Sequence, residues 1–164
     1  MATITPSYGT ITAINIDWTL IGLSANRQSD AVDNSSNLMD DALIGGKFLF
    51  TGNPTTSDLI GVYAYGSYDG TTFIGNGVTG SEGTYGNTLF DSQSLDGLRT
   101  VQIIPMVFAS LSYIFGPVSL VNLFNGIMPI KWGIIVDWKT GASLDTSVST
   151  NNEIRYTPLT YVIN

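Results

Sequence analysis

Short runs of β-branched and aromatic residues recur along the whole chain, and clusters of Gly, Asn, Asp and Pro separate them. Helical periodicity is scarce, and this alternation of short apolar runs and turn residues is typical of antiparallel β-structure. The sequence therefore predicts an all-β fold, an antiparallel β-sandwich. The candidate strands span residues 10–16, 19–24, 43–51, 59–68, 84–90, 98–107, 131–138 and 153–162.

In two of these strands, the order of the residues predicts which side chains lie on each face of the sheet. In the first, Ile60, Val62 and Ala64 share one face, whereas Tyr63 and Tyr65 share the other. In the second, one face carries four large apolar side chains: Trp132, Ile134, Val136 and Trp138. Because both faces of the first strand are largely apolar or aromatic, we expect both to be covered.

Other segments do not fit the strand pattern. Residues 24–41 are rich in Asp, Asn and Ser and are interpreted as one long polar surface loop, while residues 1–8 are expected to form an N-terminal arm. Pro117 near a possible helix start and Gly126 near its end predict one short helix near residues 117–125. No linker or repeat divides the chain, so residues 1–164 are expected to form a single domain.

The charge balance bears on possible partners. Six Lys and Arg residues stand against thirteen Asp and Glu, which gives a net charge of −7, and charged residues make up only 12% of the chain. An acidic field repels phosphate, and the basic residues are scattered singly, so nucleic acid is not expected as a partner. The longest apolar stretch, residues 101–121, is interrupted by Pro105, Gly116 and Pro117, and no membrane partner is expected.

The residues for ordinary catalysis are scarce. The chain has no His and no Cys, which removes the commonest general base and the thiolate nucleophile. We therefore expect no enzymatic activity, although two of the thirteen acids meeting in a cleft would leave glycoside hydrolysis open. No cofactor is predicted. Asp30, Asp33, Asn34 and Asp40 match no compact calcium-loop spacing, so they are interpreted as solvated turn residues and no metal is predicted either.

The three tryptophans, Trp18, Trp132 and Trp138, raise the alternative of a carbohydrate-binding module, since an exposed indole stacks on a pyranose ring. Burial in the core is the default for an aromatic side chain on an aliphatic strand face. Only Trp138, which lies beside an expected turn, is a candidate for exposure and for sugar stacking.

Six blocks of sequence, in this order and spacing, resemble small virion proteins of tailed bacteriophages, of the head decoration or cement type. The blocks are QSDAVDNSSNL from Gln28, DALIGGK from Asp41, VYAYGSYDGTT from Val62, GPVSL from Gly116, FNGIMPIKWGIIV from Phe124 and NEIRY from Asn152. Together they cover most of the chain from about residue 27 onward.

The resemblance implies a β-sandwich that allows a jelly-roll topology and that sits on the outer surface of the capsid as a homotrimer. It would bind the major capsid protein and stabilise the head by bridging coat subunits; in the same setting, the alternative is the carbohydrate-binding module of a phage head or tail fibre. Exposed loops and termini become ordered on partners, so the contacts are expected in the polar loop and the N-terminal arm. The contact candidates are Gln28, Asp30, Asp33, Asn34, Asn37 and Tyr8.

Overall fold

A computed structural model describes residues 2–21, 26–36, 38–86, 97–107 and 111–164. The fold is nearly all β, with antiparallel sheets packed as a sandwich and one short helix, so the predicted fold class is confirmed. The strands are, in chain order, β1 Ile4–Tyr8, β2 Thr12–Ala13, β3 Asn26–Gln28, β4 Val32–Asp33, β5 Asp41–Leu49, β6 Leu59–Ser67, β7 Gly83–Thr84, β8 Arg99–Pro105, β9 Ser112–Ser119, β10 Lys131–Lys139 and β11 Glu153–Ile163. Helix α1 spans Leu120–Leu123.

The strands form two sheets. The five-stranded sheet has the order β1-β11-β5-β9, with β2 also paired to β11. The six-stranded sheet has the order β7-β3-β10-β6-β8, with β4 also paired to β10. All the pairings are antiparallel, and most join strands that are distant in sequence.

The main core lies between the two sheets, and the predicted faces of β6 and β10 are confirmed. Ile60, Val62 and Ala64 belong to this core, as do the four apolar residues of the alternating face of β10. The opposite face of the same sheet carries Tyr63 and Tyr65 in a second cluster. The six-stranded sheet is therefore a middle layer, with apolar packing on both faces.

The predicted helix is shorter than expected and begins later. Gly116 and Pro117 belong to β9, and the helix covers only Leu120–Leu123. The edge position of β9 tolerates a proline, and the register of β9 against β5 shifts where these two residues lie. Ser119 caps the helix by accepting a hydrogen bond from the Asn122 amide.

Two other local predictions are corrected. Trp18–Leu20 form a 3₁₀ turn where a strand was predicted over 19–24, because the Asp17 carboxylate accepts the Thr19 amide and caps the turn. Among the described residues 84–86 of the strand predicted over 84–90, Thr84 alone belongs to a strand, β7. Residues 22–25 and 87–90 lie outside the described residues.

The two segments expected to be free are partly built into the sheets. The N-terminal arm contains β1, whose backbone pairs with the C-terminal half of β11. The polar loop 24–41 contains β3 and β4, which both pair with β10. Backbone hydrogen bonding does not depend on side-chain polarity, so a polar segment fills a sheet edge as readily as an apolar one.

A candidate docking face on the five-stranded sheet

The outer face of the five-stranded sheet carries large apolar side chains in contact with solvent. Alternation along β11 and β5 turns Ile154, Tyr156 and Ile44 into the core, so their sequence neighbours face outward. Ile114 on β9 is 80% exposed, and Tyr8 on β1 is 62% exposed. Monomeric proteins rarely leave such apolar groups clustered on one face, so the face is a candidate interaction surface.

A groove of about 670 Å³ runs across this face. Gly45, Gly46, Tyr8, Ile11 and Ile114 are among the residues that line it. A Cβ on Gly45 would lie 3.1 Å from the Phe115 carbonyl oxygen of β9, so strands β5 and β9 lie close together beside the groove. A Cβ on Gly46 would lie 2.7 Å from the Phe115 ring, which belongs to the core.

Charged groups lie at the same groove. Glu153 accepts a hydrogen bond from Arg155 and is 3.6 Å from the Lys47 ammonium, and the two cationic side chains are about half exposed. One carboxylate against two cations leaves a local excess of positive charge in a protein whose net charge is −7. The groove therefore combines apolar surface with cations on an otherwise acidic molecule.

The outer face of the six-stranded sheet is covered instead. The Tyr65 hydroxyl donates to the Ser29 carbonyl oxygen at 2.7 Å, and the Phe73 ring packs edge-on against Tyr65 at 5.5 Å. Tyr85 donates to the Asn76 carbonyl oxygen at 2.6 Å, which holds the covering segment in place. Burial raises the pKa of Tyr63 to about 12, as expected for a phenol shielded from water.

Three of the predicted contact residues are exposed. Tyr8 lines the groove, while Asp30 and Asp33 lie at the surface on the other sheet. The Asp30 carboxylate accepts the Glu82 amide and the Asn15 side-chain amide, and these hydrogen bonds lower its pKa. For these three residues, a role in partner contact stays a prediction.

Two other predicted contact residues are buried, so their assignment as surface contacts is wrong. The Gln28 side chain donates to Thr79 Oγ1 and to the Ser81 carbonyl oxygen, both at 2.7 Å. The Asn34 side chain bonds both backbone groups of Met39. These amides satisfy buried backbone and are not available to a partner. Asn37 lies outside the described residues.

The expected exposure of Trp138 is also wrong. It is 1% exposed, stacks on Phe50 with ring centroids 5.2 Å apart, and meets Phe48 edge-on at 6.1 Å. The turn after β10 does not expose it, because Phe48 of the facing sheet and Phe50, which directly follows β5, pack against its ring. Trp132 is likewise fully buried, and Trp18 is partly buried and packs edge-on against Phe48 at 5.7 Å.

Two carboxylates line one small cavity. Two acids that meet in a cleft are the arrangement that glycoside hydrolysis requires. Asp58 and Asp137 border a space of about 350 Å³ together with Asn26. Asp58 accepts the Thr55 amide and the Thr140 hydroxyl, and its pKa is lowered. Asp137 borders this space but is only 1% exposed, so its carboxyl group is shielded from bulk solvent.

Within the described ranges, no three acidic, His or Cys side chains cluster closely enough to hold a metal ion. The helical segments of the same ranges include none long and apolar enough to cross a bilayer.

Sequence reasoning identified Tyr8 but missed Ile11 and Ile114. Ile114 lies between Tyr113 and Phe115, and all three side chains are large and apolar or aromatic, so the sequence does not indicate which of them faces water.

No protein-family model, no curated protein and no solved structure matches this chain.

Proposed function

We propose that this protein is a virion structural protein of a tailed bacteriophage, a decoration or cement protein on the outer surface of the capsid. It binds the major capsid protein through the groove of the five-stranded sheet and stabilises the head by bridging coat subunits. The ordered blocks of sequence that resemble decoration proteins support the setting. The bare apolar groove supports the mode of action.

The single observation that carries the docking surface is the asymmetry of the sandwich. One outer face is sealed by its own chain, through Tyr65, Phe73 and Tyr85. The other leaves Ile114 and Tyr8 in water beside a groove of about 670 Å³. Burial of apolar surface is the main favourable term in most protein association, so the bare face is the one that gains from a partner.

The distribution of charge supports both the position outside the shell and the groove as the docking surface. The net charge of −7 disfavours contact with packaged DNA inside a shell. Lys47 and Arg155 at the groove give the docking face the opposite sign, which suits an acidic patch on a coat protein.

The proposed stabilisation of the head requires only the burial of surface between this protein and the coat subunits. Pressure from within a filled head pulls coat subunits apart, and a protein bound to two of them opposes separation by its interface free energy. Many copies on one lattice add their contributions, so moderate affinity per copy is sufficient.

The test is binding of purified Ile114→Asp protein to capsids that lack the protein, measured by co-sedimentation. A buried carboxylate without a partner is strongly unfavourable at an apolar interface, so we expect affinity to fall about 30-fold or more. Ile127→Asp is the matched control, because Ile127 is 62% exposed and does not line the groove. It should bind like the wild-type protein.

Equal binding by both variants would refute the groove as the docking site. If capsids without the protein withstood heat and osmotic shock as well as complete ones, the cement function itself would be wrong. Carbohydrate recognition is not proposed, because the side chain expected to stack on a sugar, Trp138, is buried.

A further inference from the structure

A second hollow lies beside the groove of the five-stranded sheet. This side hollow has a volume of about 510 Å³ and is lined by residues 13–19 and by part of the segment 146–155. Glu153 and Arg155 line both the groove and the side hollow, so the two spaces adjoin at these residues. The open space therefore extends across the sheet beyond the groove.

The strand register shows the direction in which this space runs. Arg155 of β11 lies opposite Gly45 of β5 on one side and opposite Ala13 of β2 on the other. Directly opposed residues of an antiparallel pair lie on the same face, so Gly45, Arg155 and Ala13 form a row across the strands. Glycine and alanine are the two smallest residues, so the row is a shallow channel with Arg155 at its centre.

The channel is long enough for an extended chain. Passing from β9 across β5 and β11 to β2 takes three strand spacings of about 4.8 Å each, or about 14 Å. An extended segment advances about 3.4 Å per residue, so about five residues cover this distance. Apolar side chains lie at both ends, Ile114 in the groove and Trp18 and Val148 in the side hollow. A narrow path between two hollows fits one extended segment better than a rounded protein surface.

The charges at the centre of the channel determine what the segment carries. Glu153 Oε2 lies 2.7 Å from Nε and 2.6 Å from Nη2 of Arg155, and Nη1 has no partner among the described residues. The Lys47 ammonium lies 3.6 Å from Glu153 Oε1, and its side chain is about half exposed. Nη1 of Arg155 and the Lys47 ammonium can therefore bind a carboxylate of a partner while Glu153 keeps its bonds.

The far end of the side hollow is acidic instead. Asp17 lines it and caps the turn at Trp18 by accepting the Thr19 amide. Asn15, which also lines it, donates to the exposed Asp30 carboxylate. These two carboxylates repel a further acid at this end. The acid of the occupant therefore belongs over Arg155, with uncharged or basic residues beyond it.

We infer that the groove and the side hollow bind one extended segment of the coat protein, which crosses the strands over Arg155. The segment carries a carboxylate at Arg155, an apolar side chain against Ile114 and a second one beside Trp18 and Val148. This inference rests on the proposed function, because it names the part of the coat protein that binds. It goes further in requiring a continuous segment of about five residues or more with an acid in its middle.

Site-specific photo-crosslinking on assembled particles tests the inference. One variant carries p-benzoylphenylalanine in place of Ile114, which is 80% exposed, and another carries it in place of Val148, which is 52% exposed. Both should crosslink to the coat protein, at positions within about ten residues of each other in its sequence. An Asp or Glu should lie between those positions. The same replacement at Ile127, outside both hollows, is the control and should give no crosslink.

The outcomes separate this inference from the proposed function. A crosslink from the Ile114 position, with none from the Val148 position or with one far away in the coat sequence, would overturn the extended segment and leave the groove as the docking site. A shared segment without an acidic residue would also overturn the inference. No crosslink to the coat protein from either position would contradict the proposed function itself.

Co-sedimentation of variants with capsids tests the same contacts by affinity. Val148→Asp should weaken binding about 10-fold or more, because it places a carboxylate among apolar contacts. Val162→Asp is the matched control, since Val162 is 42% exposed and lines neither hollow, and it should bind like the wild-type protein. All three valine and arginine variants should keep the wild-type thermal midpoint within a few degrees, because these side chains are exposed.

The third of these variants, Arg155→Gln, should weaken binding and reduce its dependence on salt concentration, because a charge pair with the partner is lost. Wild-type affinity in Val148→Asp would contradict the inference, and so would an unchanged salt dependence in Arg155→Gln. Equal losses in Val148→Asp and Val162→Asp would show that the side hollow has no special part in binding.

Discussion

Asp137 is a carboxyl group in an unusual place, the interior of the central strand β10. It is 1% exposed, and its Oδ2 atom has no hydrogen-bond partner among the described residues. Burial raises its pKa to about 6, and the charge of Lys139 offsets part of this effect. Tyr63 lies close enough for the Asp137 charge to help raise the tyrosine pKa. At neutral pH, Asp137 is therefore a buried charge that destabilises the fold.

We therefore predict that Asp137→Asn raises the free energy of unfolding and that the gain depends on pH. The folded pKa of about 6 lies above the unfolded value of 3.8, so the folded state holds the proton longer as the pH rises. The contribution of Asp137 to the stability of the wild-type protein then falls between about pH 4 and pH 6, by up to about 3 kcal/mol above pH 6. Urea unfolding should show that Asp137→Asn gains more relative to wild type at pH 7.5 than at pH 4.

Asp69→Asn is the control, because the pH dependence of its effect on stability is expected to be opposite to that of Asp137→Asn. The Asp69 carboxylate accepts the Thr71 and Thr72 amides in the turn after β6, and these bonds lower its pKa. Its contribution is present at neutral pH and is lost as the pH falls below the unfolded value of 3.8, so this variant should lose more stability at pH 7.5 than at about pH 2.5. An Asp137→Asn effect that is equal at pH 7.5 and pH 4 would contradict the assignment.

At the scale of elements, β10 organises the six-stranded sheet, and a glycine within it has a packing reason. Gly133 lies opposite Tyr65 in the register of β10 and β6, and a Cβ on Gly133 would lie 2.3 Å from the tyrosine ring. The ring crosses the glycine to reach the Ser29 carbonyl oxygen. Ser29 in turn donates its side-chain hydroxyl to the Asp30 carbonyl oxygen and accepts the Ile134 amide on its Oγ. The glycine thus allows the polar segment after β3 to lock onto the sheet.

We therefore expect Gly133→Ala to destabilise the fold by about 1–3 kcal/mol, since the added methyl overpacks a buried contact. Equilibrium urea unfolding measures this. Gly52→Ala is the matched control, because a Cβ at Gly52 meets nothing within 4 Å, and it should change stability by about 0.5 kcal/mol or less. Comparable effects of the two substitutions would show that Tyr65 does not occupy the space above Gly133.

For the whole molecule, the main feature is the division into one covered outer face and one bare outer face. Tyr63 and Tyr65 face a covering segment of the same chain, whereas Tyr8 and Ile114 face water. Under the proposed function, contact with the coat protein falls on the bare face, at the groove.

Hydroxyl-radical footprinting should report this division. In the free protein, we expect oxidation of Tyr8 and Ile114 and little oxidation of Tyr63 and Tyr65. On assembled particles, Tyr8 and Ile114 should be protected several-fold, while Ile127 should react equally in both states. Protection of Ile127 without protection of Ile114 would place the partner on another surface.

The predicted faces of β6 and β10 show what local pattern determines. A strand repeats every two residues, so Ile60 and Val62, or Trp132 and Ile134, must share a face wherever the strand lies. The turn at Asp69 is likewise determined by nearby residues, because the Asp69 carboxylate accepts the amide of Thr72, three residues along the chain. The sequence by itself thus determined the β class, several strands and the sidedness of two of them.

Contacts distant in sequence decided the rest. Gln28 is polar and was expected at the surface, but Thr79, 51 residues away, satisfies its amide. Trp138 was expected near solvent, but Phe48 of the facing sheet and Phe50, which directly follows β5, bury it. Ile114 is exposed because no segment of the described chain covers it. Burial depends on which strands meet across the sandwich, and periodicity along one strand carries no information about its neighbours, so only the tertiary structure located the exposed apolar face and its groove.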